Sequence, residues 1–423
     1  MDPSAAGAMI RSLYSLVVIA AQPFLRSKLH RRGRAEPGYL QHVEERFGRF
    51  EGRADPGALW IHAVSLGETR AAAAVIDELR RLDPGVRILL THGTATGRAE
   101  GERLLRQGDA QAWLPWDTPR AVEAFLDHFH PCAGVLMETE VWPNLVAGCK
   151  ARNVPLALAN ARLSDKSLRQ ALRLARLARA SYGALSAVWA QTEGDAERLA
   201  QAGATVKGVF GNVKFDAAPD AAQILRGREW RARAARPVVM FASSREGEEE
   251  LFFRAAREAT APVQWLVVPR HPQRFDQVAQ LASQHGFAVS RRSSWTDAPG
   301  DAAVWVGDSL GEMALYYGMA DVALLGGSFE KLGGQNLIEA AACECPVVMG
   351  PHTFNFTEAA QLAQEAGAAT RVAGMGEGVL AAVSLASDAQ RLGDARTAAR
   401  AFASAHQGAA RKTAQALLAL AAR

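Results

Sequence analysis

Carboxylate side chains follow apolar stretches in the first half of the sequence. Glu68 comes shortly after ALWIHA, and Glu138 and Glu140 come directly after AGVLM. A carboxylate at the end of a strand can take a proton from a hydroxyl group or stabilise positive charge on a reacting carbon. A structural reading also stays open, because Glu68 could cap a helix and the other two could cap the helix predicted near Trp142.

Other polar candidates also follow apolar stretches. Asn160 and Arg162 follow VPLALA in the first half. The candidates in the second half are mostly hydroxyl, basic and glycine residues: Ser243, Ser244, Arg270, His271, Gly307, Gly311, Glu312, Gly326, Gly327, Ser328, Gly334, Gln335, Asn336 and Glu339. Helix N-termini and basic side chains bind phosphate and other anions. The pattern therefore predicts an acidic first half and an anion or nucleotide site in the second, a division that suits group transfer.

Simpler interpretations exist for the second half. Arg270 and His271, which precede Pro272, could mark only an exposed helix start, and the glycine pairs could be only turns. The sequence has no Walker A motif, no H-E-x-x-H motif, and no G-x-G-x-x-G after the first strand. The functional interpretation depends on how many polar signals fall at successive strand ends.

The elements that must position these residues alternate along the chain. We predict strands at 58–63, 86–91, 133–137, 154–159 and 187–191, and then at 237–243, 263–269, 303–307, 321–326 and 346–349. Helical patterns such as 69–82 and 164–180 lie between them. This alternation predicts an α/β protein with two Rossmann-like domains, joined near 211–237, each with a parallel sheet. Ligands of such sheets bind beyond the carboxyl ends of the strands, so we expect a site in a cleft between the domains.

Composition excludes several classes of protein. The chain has 423 residues, is 49% hydrophobic and 22% charged, and has four cysteines without a metal or disulfide spacing. These values predict a folded protein with reduced thiols. Nucleic-acid binding is not expected, because no basic face with interleaved aromatic residues appears beyond the N-terminal region.

The N-terminal region carries the whole net charge of +4, since residues 1–53 contain nine basic and five acidic residues. The apolar run LYSLVVIAAQPFL (13–25) is shorter than the roughly 20 residues of a transmembrane helix, and the basic cluster 26–34 follows it. An apolar segment with a basic flank is typical of a peripheral or monotopic anchor on anionic lipid. A cleaved signal peptide and a core helix with a solvated basic end are the alternatives.

Eight motifs in order resemble one enzyme family over nearly the whole chain: HAVSLGE, LMETEVWPN, NARLS, VPRHPQRF, VGDSLGEM, GGSF, GGQNLIEAA and MGPHTFNF. The sequence is similar to the 3-deoxy-D-manno-octulosonic acid (Kdo) transferases of lipopolysaccharide biosynthesis. The resemblance implies an inverting GT-B glycosyltransferase that moves Kdo from CMP-Kdo to a lipid A precursor (lipid IVA), at the cytoplasmic face of the inner membrane. Anionic inner-membrane lipid is a further expected partner.

The resemblance also implies roles for residues. It implies that Glu68 is the catalytic base, that Glu138, Glu140, Asn160 and Arg162 bind the acceptor, and that the candidates of the second half bind CMP-Kdo. The implied domains are a membrane-associating segment (1–35), an acceptor domain (36–214) and a CMP-Kdo domain (215–423). No metal ion or cofactor is expected, because CMP-Kdo has a single phosphate. Family members often have other residues at Ser244, Arg245, Gln335 and Leu337.

Two alternatives differ in kind from this interpretation. One is another GT-B enzyme, such as a UDP-sugar transferase acting on a lipid or a sugar-nucleotide epimerase. The other is a membrane-peripheral scaffold without catalysis.

Overall fold

The computed structural model describes residues 3–422, which form two compact units. The first unit contains the chain up to Ala217 and the C-terminal stretch from Gln407, and the second is Ala218–His406. Each unit is built around one seven-stranded sheet. All strand pairs in both sheets are parallel, which confirms the predicted α/β fold class.

The first unit alternates strands and helices. Its strands are β1 (Leu59–His62), β2 (Ile88–His92), β3 (Ala110–Trp113), β4 (Ala133–Met137), β5 (Leu156–Ala161), β6 (Ala187–Ala190) and β7 (Val206–Val209). Its helices are α1 (Pro3–Ala35), α2 (Leu66–Leu82), α3 (Ala95–Glu102), α4 (Pro119–Phe129), α5 (Pro143–Ala151), α6 (Asp165–Leu172), α7 (Ala175–Tyr182) and α8 (Glu193–Gln201). The strand order is β3-β2-β1-β4-β5-β6-β7.

The central strands of this sheet are apolar along their length because both faces of the sheet are covered. Trp60 of β1 packs in a core cluster with Phe125 of α4. The next residue, Ile61, packs in a second cluster with Val75 of α2. Continuous apolar runs, rather than alternating ones, are the expected pattern for such doubly covered strands.

The second unit follows the same plan. Its strands are β8 (Val238–Ser244), β9 (Gln264–Pro269), β10 (Val289–Arg291), β11 (Val304–Val306), β12 (Val322–Leu325), β13 (Val347–Met349) and β14 (Ala369–Arg371). Its helices are α9 (Ala221–Arg233), α10 (Glu248–Glu258), α11 (Phe275–Gln284), α12 (Met313–Met319), α13 (Leu337–Ala342), α14 (Thr357–Glu365), α15 (Met375–Ala386) and α16 (Ala389–Ala405). The strand order is β10-β11-β9-β8-β12-β13-β14.

Four strands were not predicted from the sequence, and all four lie at the edges of the sheets. They are β3, β7, β10 and β14. Their sequences are AQAW, VKGV, VSR and ATR, and most of their residues are only partly buried. An edge strand packs on fewer neighbours, so its sequence needs less apolar character.

Two elements differ from the sequence-based outline. The final helix, α17 (Ala409–Ala421), falls in the predicted second domain (215–423), but it packs against α2 in the first unit. The helix predicted at 164–180 is interrupted at Arg173 and Leu174, which separate α6 from α7. Residue 423 lies outside the described part of the chain.

The predicted membrane segment 1–35 is one helix, α1, apart from residues 1 and 2, which are not described. Pro23 lies inside α1. The helix packs against α5 and α7 of the first unit. None of the helices within residues 3–422 combines the length and the apolar character needed to cross a bilayer.

Candidate active site

Glu68 lies in the first turn of α2, just after β1. Its Oε2 accepts a hydrogen bond from the Val64 N–H at 2.7 Å, and its Oε1 accepts one from the Ser65 hydroxyl at 3.2 Å. The Ser65 oxygen in turn accepts from the Glu68 N–H at 3.4 Å. Ser65 is therefore the N-cap of α2, and the Glu68 carboxylate completes the hydrogen bonding at this helix start, which is close to the capping role that the sequence allowed for it.

The proton affinity of Glu68 is unusually high for a carboxylate in the first turn of a helix. Burial raises its pKa from the usual 4.5 to about 7, although the hydrogen bond from Val64 opposes that change. The negative charges of Glu138 and Glu140 raise it further. A carboxyl group with this pKa is about half ionised at neutral pH, and its ionised form is a stronger base than an ordinary carboxylate.

Buried polar residues fix the loop that leads to Glu68. The His92 Nδ1 lies 3.0 Å from the carbonyl oxygen of Ala63, and burial lowers the pKa of His92 to about 4. The Thr69 hydroxyl donates to the Ser65 carbonyl at 2.9 Å, and the Thr94 hydroxyl donates to the Val64 carbonyl at 3.0 Å. Sequence analysis did not single out these residues, although His92 and Thr94 follow a predicted strand.

Glu138 and Glu140 follow β4. Glu138 has a left-handed backbone (φ 62°), which is uncommon outside glycine and is often found at functional sites. Its Oε1 pairs with the Lys214 Nζ at 2.7 Å. Burial raises the pKa of Glu140. Both residues act electrostatically on Glu68, so the three predicted carboxylates share one neighbourhood.

Asn160 and Arg162 lie at the end of β5 and beyond it. Asn160 is buried and left-handed (φ 50°), and its Oδ1 accepts from the Val213 N–H at 3.1 Å. Its carbonyl accepts from the Gln191 side chain at 2.9 Å. Arg162 is exposed, and its N–H donates to the Glu138 carbonyl at 3.2 Å. Asn160 thus holds neighbouring loops together, whereas the Arg162 side chain is accessible.

Ser243 and Ser244 end β8 in the second unit. Ser244 is fully buried, and its hydroxyl donates a hydrogen bond to Glu249 at 3.0 Å within the protein interior. Ser243 is left-handed (φ 52°). A Cβ atom at Gly326 would lie 2.2 Å from the Ser243 carbonyl oxygen. Only glycine fits there, because the two backbones touch.

Glu248 and Glu249 open α10 and were not singled out from the sequence. Both are buried. Glu248 accepts four backbone N–H groups, from Arg245 at 3.2 Å and from residues 327, 329 and 330 at 2.7, 3.0 and 3.2 Å. Glu249 pairs with Arg274 at 3.0 Å. Glu248 therefore holds the loop after β12 against the loop after β8, and Glu249 holds the segment after β9.

Basic side chains collect near the ends of β8 and β9. Arg270 and His271 directly follow β9 and are exposed. Partial shielding of the His271 ring from solvent and the positive charges of Arg245, Arg270 and Arg274 lower the pKa of His271. Because the three arginines act on the pKa of His271, all four basic residues lie in one region of the second unit. Such a cluster attracts anions.

The loop after β11 is held by ion pairs. Glu312 pairs with Arg292 at 2.8 Å and accepts from the Ser309 hydroxyl. The carbonyl of Gly311 accepts from Gln223 at 2.9 Å. A Cβ atom at Gly307 would collide with neighbouring side chains, so this glycine is required for packing.

The remaining predicted residues surround the loop after β12. Gly327 and Gly334 have left-handed backbones, and the Gly334 N–H donates to the Gly327 carbonyl at 2.7 Å. The Ser328 hydroxyl is buried and accepts from the Gly350 N–H at 2.8 Å. Asn336 caps α13, with its Oδ1 accepting from the N–H two residues on. The side chains of Gln335 and Glu339 are partly exposed, whereas Ser328 and Asn336 form hydrogen bonds within the protein.

Within each unit, the predicted residues therefore gather beyond the carboxyl-terminal ends of the parallel strands. The first unit gathers Glu68, Glu138 and Glu140, and the second gathers basic and glycine-rich loops. Across the described ranges, no cluster of three or more His, Cys, Asp or Glu residues has the arrangement of a metal site.

Comparison with known proteins gives consistent results at the level of sequence. Residues 41–217 match the family described as 3-deoxy-D-manno-octulosonic-acid transferase (kdotransferase). The 3-deoxy-D-manno-octulosonic acid transferase of Bordetella pertussis is 46% identical over 97% of this chain and 99% of its own length. The Haemophilus influenzae protein of the same name is 33% identical, over 83% of this chain and 84% of its own length.

Solved structures support the fold. A glycosyltransferase from Rickettsia africae superimposes with a TM-score of 0.58 at 12% identity, over 86% of this chain and 98% of that one. The UDP-GlcNAc 2-epimerase of Neisseria meningitidis superimposes with a TM-score of 0.56 at 12% identity, over 86% and 99%. These likenesses agree with the predicted GT-B type of fold.

The sequence relatives decide the family, because their similarity extends over nearly the whole chain. The family resemblance inferred from the eight motifs is confirmed. The chain belongs to the 3-deoxy-D-manno-octulosonic acid (Kdo) transferases, which are glycosyltransferases of lipopolysaccharide biosynthesis.

Proposed function

We propose that this enzyme transfers Kdo from CMP-Kdo to a lipid A precursor, lipid IVA, with Glu68 as the general base. The observation that carries the proposal is the state of Glu68. Its carboxylate is held by Val64 and Ser65, and burial together with two neighbouring acids raises its pKa to about 7. A base is most effective when its pKa lies near the working pH, and such proton transfer contributes about 10² to 10⁴ in rate.

The proposed step is a single displacement. The acceptor hydroxyl oxygen forms a bond to the anomeric carbon of Kdo, and the bond from that carbon to the phosphate oxygen breaks. CMP leaves with the bonding electrons, and the hydroxyl proton passes to Glu68. Attack from the face opposite the leaving group inverts the anomeric carbon. The anionic form of Glu68 also favours the positive charge that develops on the sugar.

The basic residues of the second unit suit the leaving group. Negative charge grows on the phosphate of CMP as the sugar departs, and Arg245, Arg270 and Arg274 provide a cationic region, with neutral His271 beside them as a hydrogen-bonding group. Arg270 and His271 are exposed, so they are accessible to a ligand. The Arg274 side chain is mostly buried, and its ion pair with Glu249 fixes its position in the basic cluster.

The acidic residues of the first unit suit a sugar acceptor. Glu138 and Glu140 are partly exposed, and carboxylates accept hydrogen bonds from sugar hydroxyls. Arg162 is exposed after β5 and provides a cation for a phosphate of the acceptor. A lipid A precursor carries both hydroxyl and phosphate groups.

The surface of α1 suits attachment to the cytoplasmic face of the inner membrane. Its exposed apolar side chains, 47–68% accessible, are Met9, Leu13, Leu16, Val17, Ile19 and Phe24. The opposite side of the helix is fixed to the first unit, where the Ser15 hydroxyl donates to Asn144 at 3.0 Å. Exposed basic residues follow in the same helix, at Lys28, Arg31, Arg32 and Arg34. An apolar row with a basic flank binds anionic lipid without spanning the bilayer.

The neighbouring helices extend this surface. α7 packs against α1. The α6 and α7 segment exposes Leu172 and Leu174. It also exposes five basic residues, which are Lys166, Arg169, Arg173, Arg176 and Arg179. We include this segment in the proposed membrane surface because it repeats the same combination of apolar and basic side chains.

The proposal is tested with purified enzyme, CMP-Kdo and tetra-acylated lipid A precursor, with products identified by mass spectrometry. The expected product is the acceptor with Kdo attached and an inverted linkage, together with free CMP. Parallel reactions contain UDP-sugars in place of CMP-Kdo, and thermal protection by CMP is compared with protection by UDP. Transfer from a UDP-sugar, or protection by UDP alone, would contradict the proposed donor. No transfer from any donor would favour a non-catalytic scaffold.

A further inference from the structure

A short 3-10 helix, Val213–Asp216, is fixed beside the acidic neighbourhood of the first unit. At its start, the Val213 N–H donates to Asn160 at 3.1 Å. At its end, the Asp216 carboxylate accepts the backbone N–H groups of Gly408 and Ala410 at the start of α17. Val213 is buried in the core, and the 3-10 helix packs against α2. Because both ends are held, the position of Lys214 between them is well defined.

Lys214 contacts Glu138 across 76 positions of sequence. The Lys214 Nζ lies 2.7 Å from the Glu138 Oε1, and the two side chains are only 20% and 12% exposed. A charge pair with this little solvent access is screened weakly by salt. Loss of one partner leaves a nearly buried charge without compensation, so each partner strongly affects the other.

We propose that Lys214 is a positioning residue, which holds Glu138 beside the base and offsets the charge of Glu138 so that Glu68 can ionise at neutral pH. The inference rests on the proposed role of Glu68 as base. β1 and β4 are paired in parallel, so the segments that follow them, which contain Glu68 and Glu138, start side by side. The charge of Glu138 raises the pKa of Glu68, and the Lys214 ammonium group contacts the Glu138 carboxylate. Glu138 would otherwise place a full negative charge near a carboxyl group that must also become negative.

Several of the other charged groups on elements around α2 have their own partners or are neutral. Burial lowers the pKa values of His62 on β1 and His92 on β2 to about 3 and 4, so both are neutral at pH 7. On α3, Arg98 pairs with Glu45 at 2.8 Å and Glu100 with Arg70 at 3.1 Å. The rest are Glu140 after β4, Arg162 after β5, Asp216 as above, and the exposed Arg411 and Lys412 on α17. Lys214 is the cation whose side chain pairs with the Glu138 carboxylate, whereas Arg162 contacts Glu138 through its backbone N–H.

The test is the pH profile of kcat/KM for the full-length enzyme and for Lys214→Met. The parent should lose activity below about pH 7, because Glu68 becomes protonated there. Removal of the cation favours protonation of the nearby acids, so the acid limb should move up by about one pH unit. If the pKa rises from about 7 to about 8, the ionised fraction at pH 7 falls about fivefold, whereas at pH 9 it is almost unchanged.

Three further variants separate this effect from a structural one. Lys214→Arg keeps the cation and should keep the acid limb near its parental position. Glu138→Gln/Lys214→Met removes both charges and should return the limb towards lower pH. Glu138→Gln alone should move it below the parental position, which keeps the inference testable if Lys214→Met does not fold. Melting temperatures are measured for each protein.

The outcomes distinguish the two proposals. Two results would overturn the role of Lys214: a uniform loss of activity at every pH in Lys214→Met, or an acid limb of the pH profile that stays displaced in the double variant. If Glu68→Gln is inactive, the proposed function stands in both cases. A Glu68→Gln enzyme with near-parental turnover would overturn both. A limb that moves up in Lys214→Met and returns in the double variant would establish the inference.

Discussion

The two units place a glutamate at equivalent positions and use it differently. In each, the first strand ends, a loop follows, and a helix begins with an acidic first turn, which contains Glu68 in α2 and Glu248 in α10. Glu68 is partly exposed and accepts one backbone N–H and one hydroxyl. Glu248 is fully buried and accepts four backbone N–H groups.

The difference between Glu68 and Glu248 shows that a glutamate at a helix N-terminus can have either a structural or a chemical role. The oxygens of Glu248 are occupied by the protein, so this carboxylate cannot reach a substrate and instead fixes a loop. Glu68 has fewer donors and stays near solvent, while burial keeps its pKa near 7. The number of donors and the exposure of the carboxylate therefore separate a structural acid from a candidate base.

The largest expected effect comes from Glu68→Gln. The amide keeps the shape of the side chain and much of its hydrogen bonding but cannot take the proton. We expect turnover to fall by at least about 10²-fold, with CMP-Kdo binding and the melting temperature nearly unchanged. Steady-state kinetics, ligand titration and thermal unfolding check these points. Near-parental turnover would mean that Glu138 or Glu140 is the base.

Glu248→Gln should show the reverse pattern and serves as the matched control. Its amide group would face N–H donors that need an acceptor, so we expect a loss of about 2 to 3 kcal/mol in the free energy of unfolding. Urea unfolding of the full chain measures this change. A stable Glu248→Gln protein with a specific loss of turnover would remove the contrast between the two glutamates.

Arg270→Ala tests whether the exposed cations of the second unit bind the donor. A charge-assisted hydrogen bond to phosphate contributes about 1.5 to 3 kcal/mol, so CMP affinity should fall about 10- to 150-fold. Calorimetry with CMP measures it, and exposed Arg391 on α16 in the same unit provides a matched Arg391→Ala control. Unchanged CMP affinity in Arg270→Ala would mean that the segment only starts a helix.

The smallest expected effects concern the surfaces, where the units also differ. Exposed large apolar residues concentrate on α1 in the first unit, whereas in the second they are scattered as Leu225, Leu251, Leu310, Phe354 and Leu380. Arg173→Glu and Arg176→Glu should each weaken binding to anionic vesicles by about 1 kcal/mol or more, since each removes a cation from the proposed membrane surface.

Vesicle sedimentation in physiological salt measures this binding. Arg411→Glu and Lys412→Glu on α17 are the matched controls and should bind like the parent. Deletion of residues 1–34 should release the protein from the vesicles and leave CMP binding intact. A truncated enzyme that still sediments with anionic vesicles would place the main attachment elsewhere.

Most of the fold followed from local patterns in the sequence. The ten predicted strands are all present, because a strand covered on both faces must be apolar along its length. The four missed strands are sheet edges such as VKGV (206–209), where few side chains are buried. The sequence analysis also did not predict that α17 packs in the first unit, because the apolar face of a helix does not specify which of two sheets the helix covers.

The sequence by itself determined the fold class, the family and the order of polar loops at strand ends, because these depend on periodicity and on short motifs. Tertiary structure decided what each polar residue does. Ser244 and Ser328 turned inward to bond within the protein, and Glu248 received donors from a loop about 80 positions away. Lys214 met Glu138 only because β4, β5 and the 3-10 helix come together in space. The pKa of Glu68 depends on burial and on charges that are distant in sequence, and no local pattern encodes either of them.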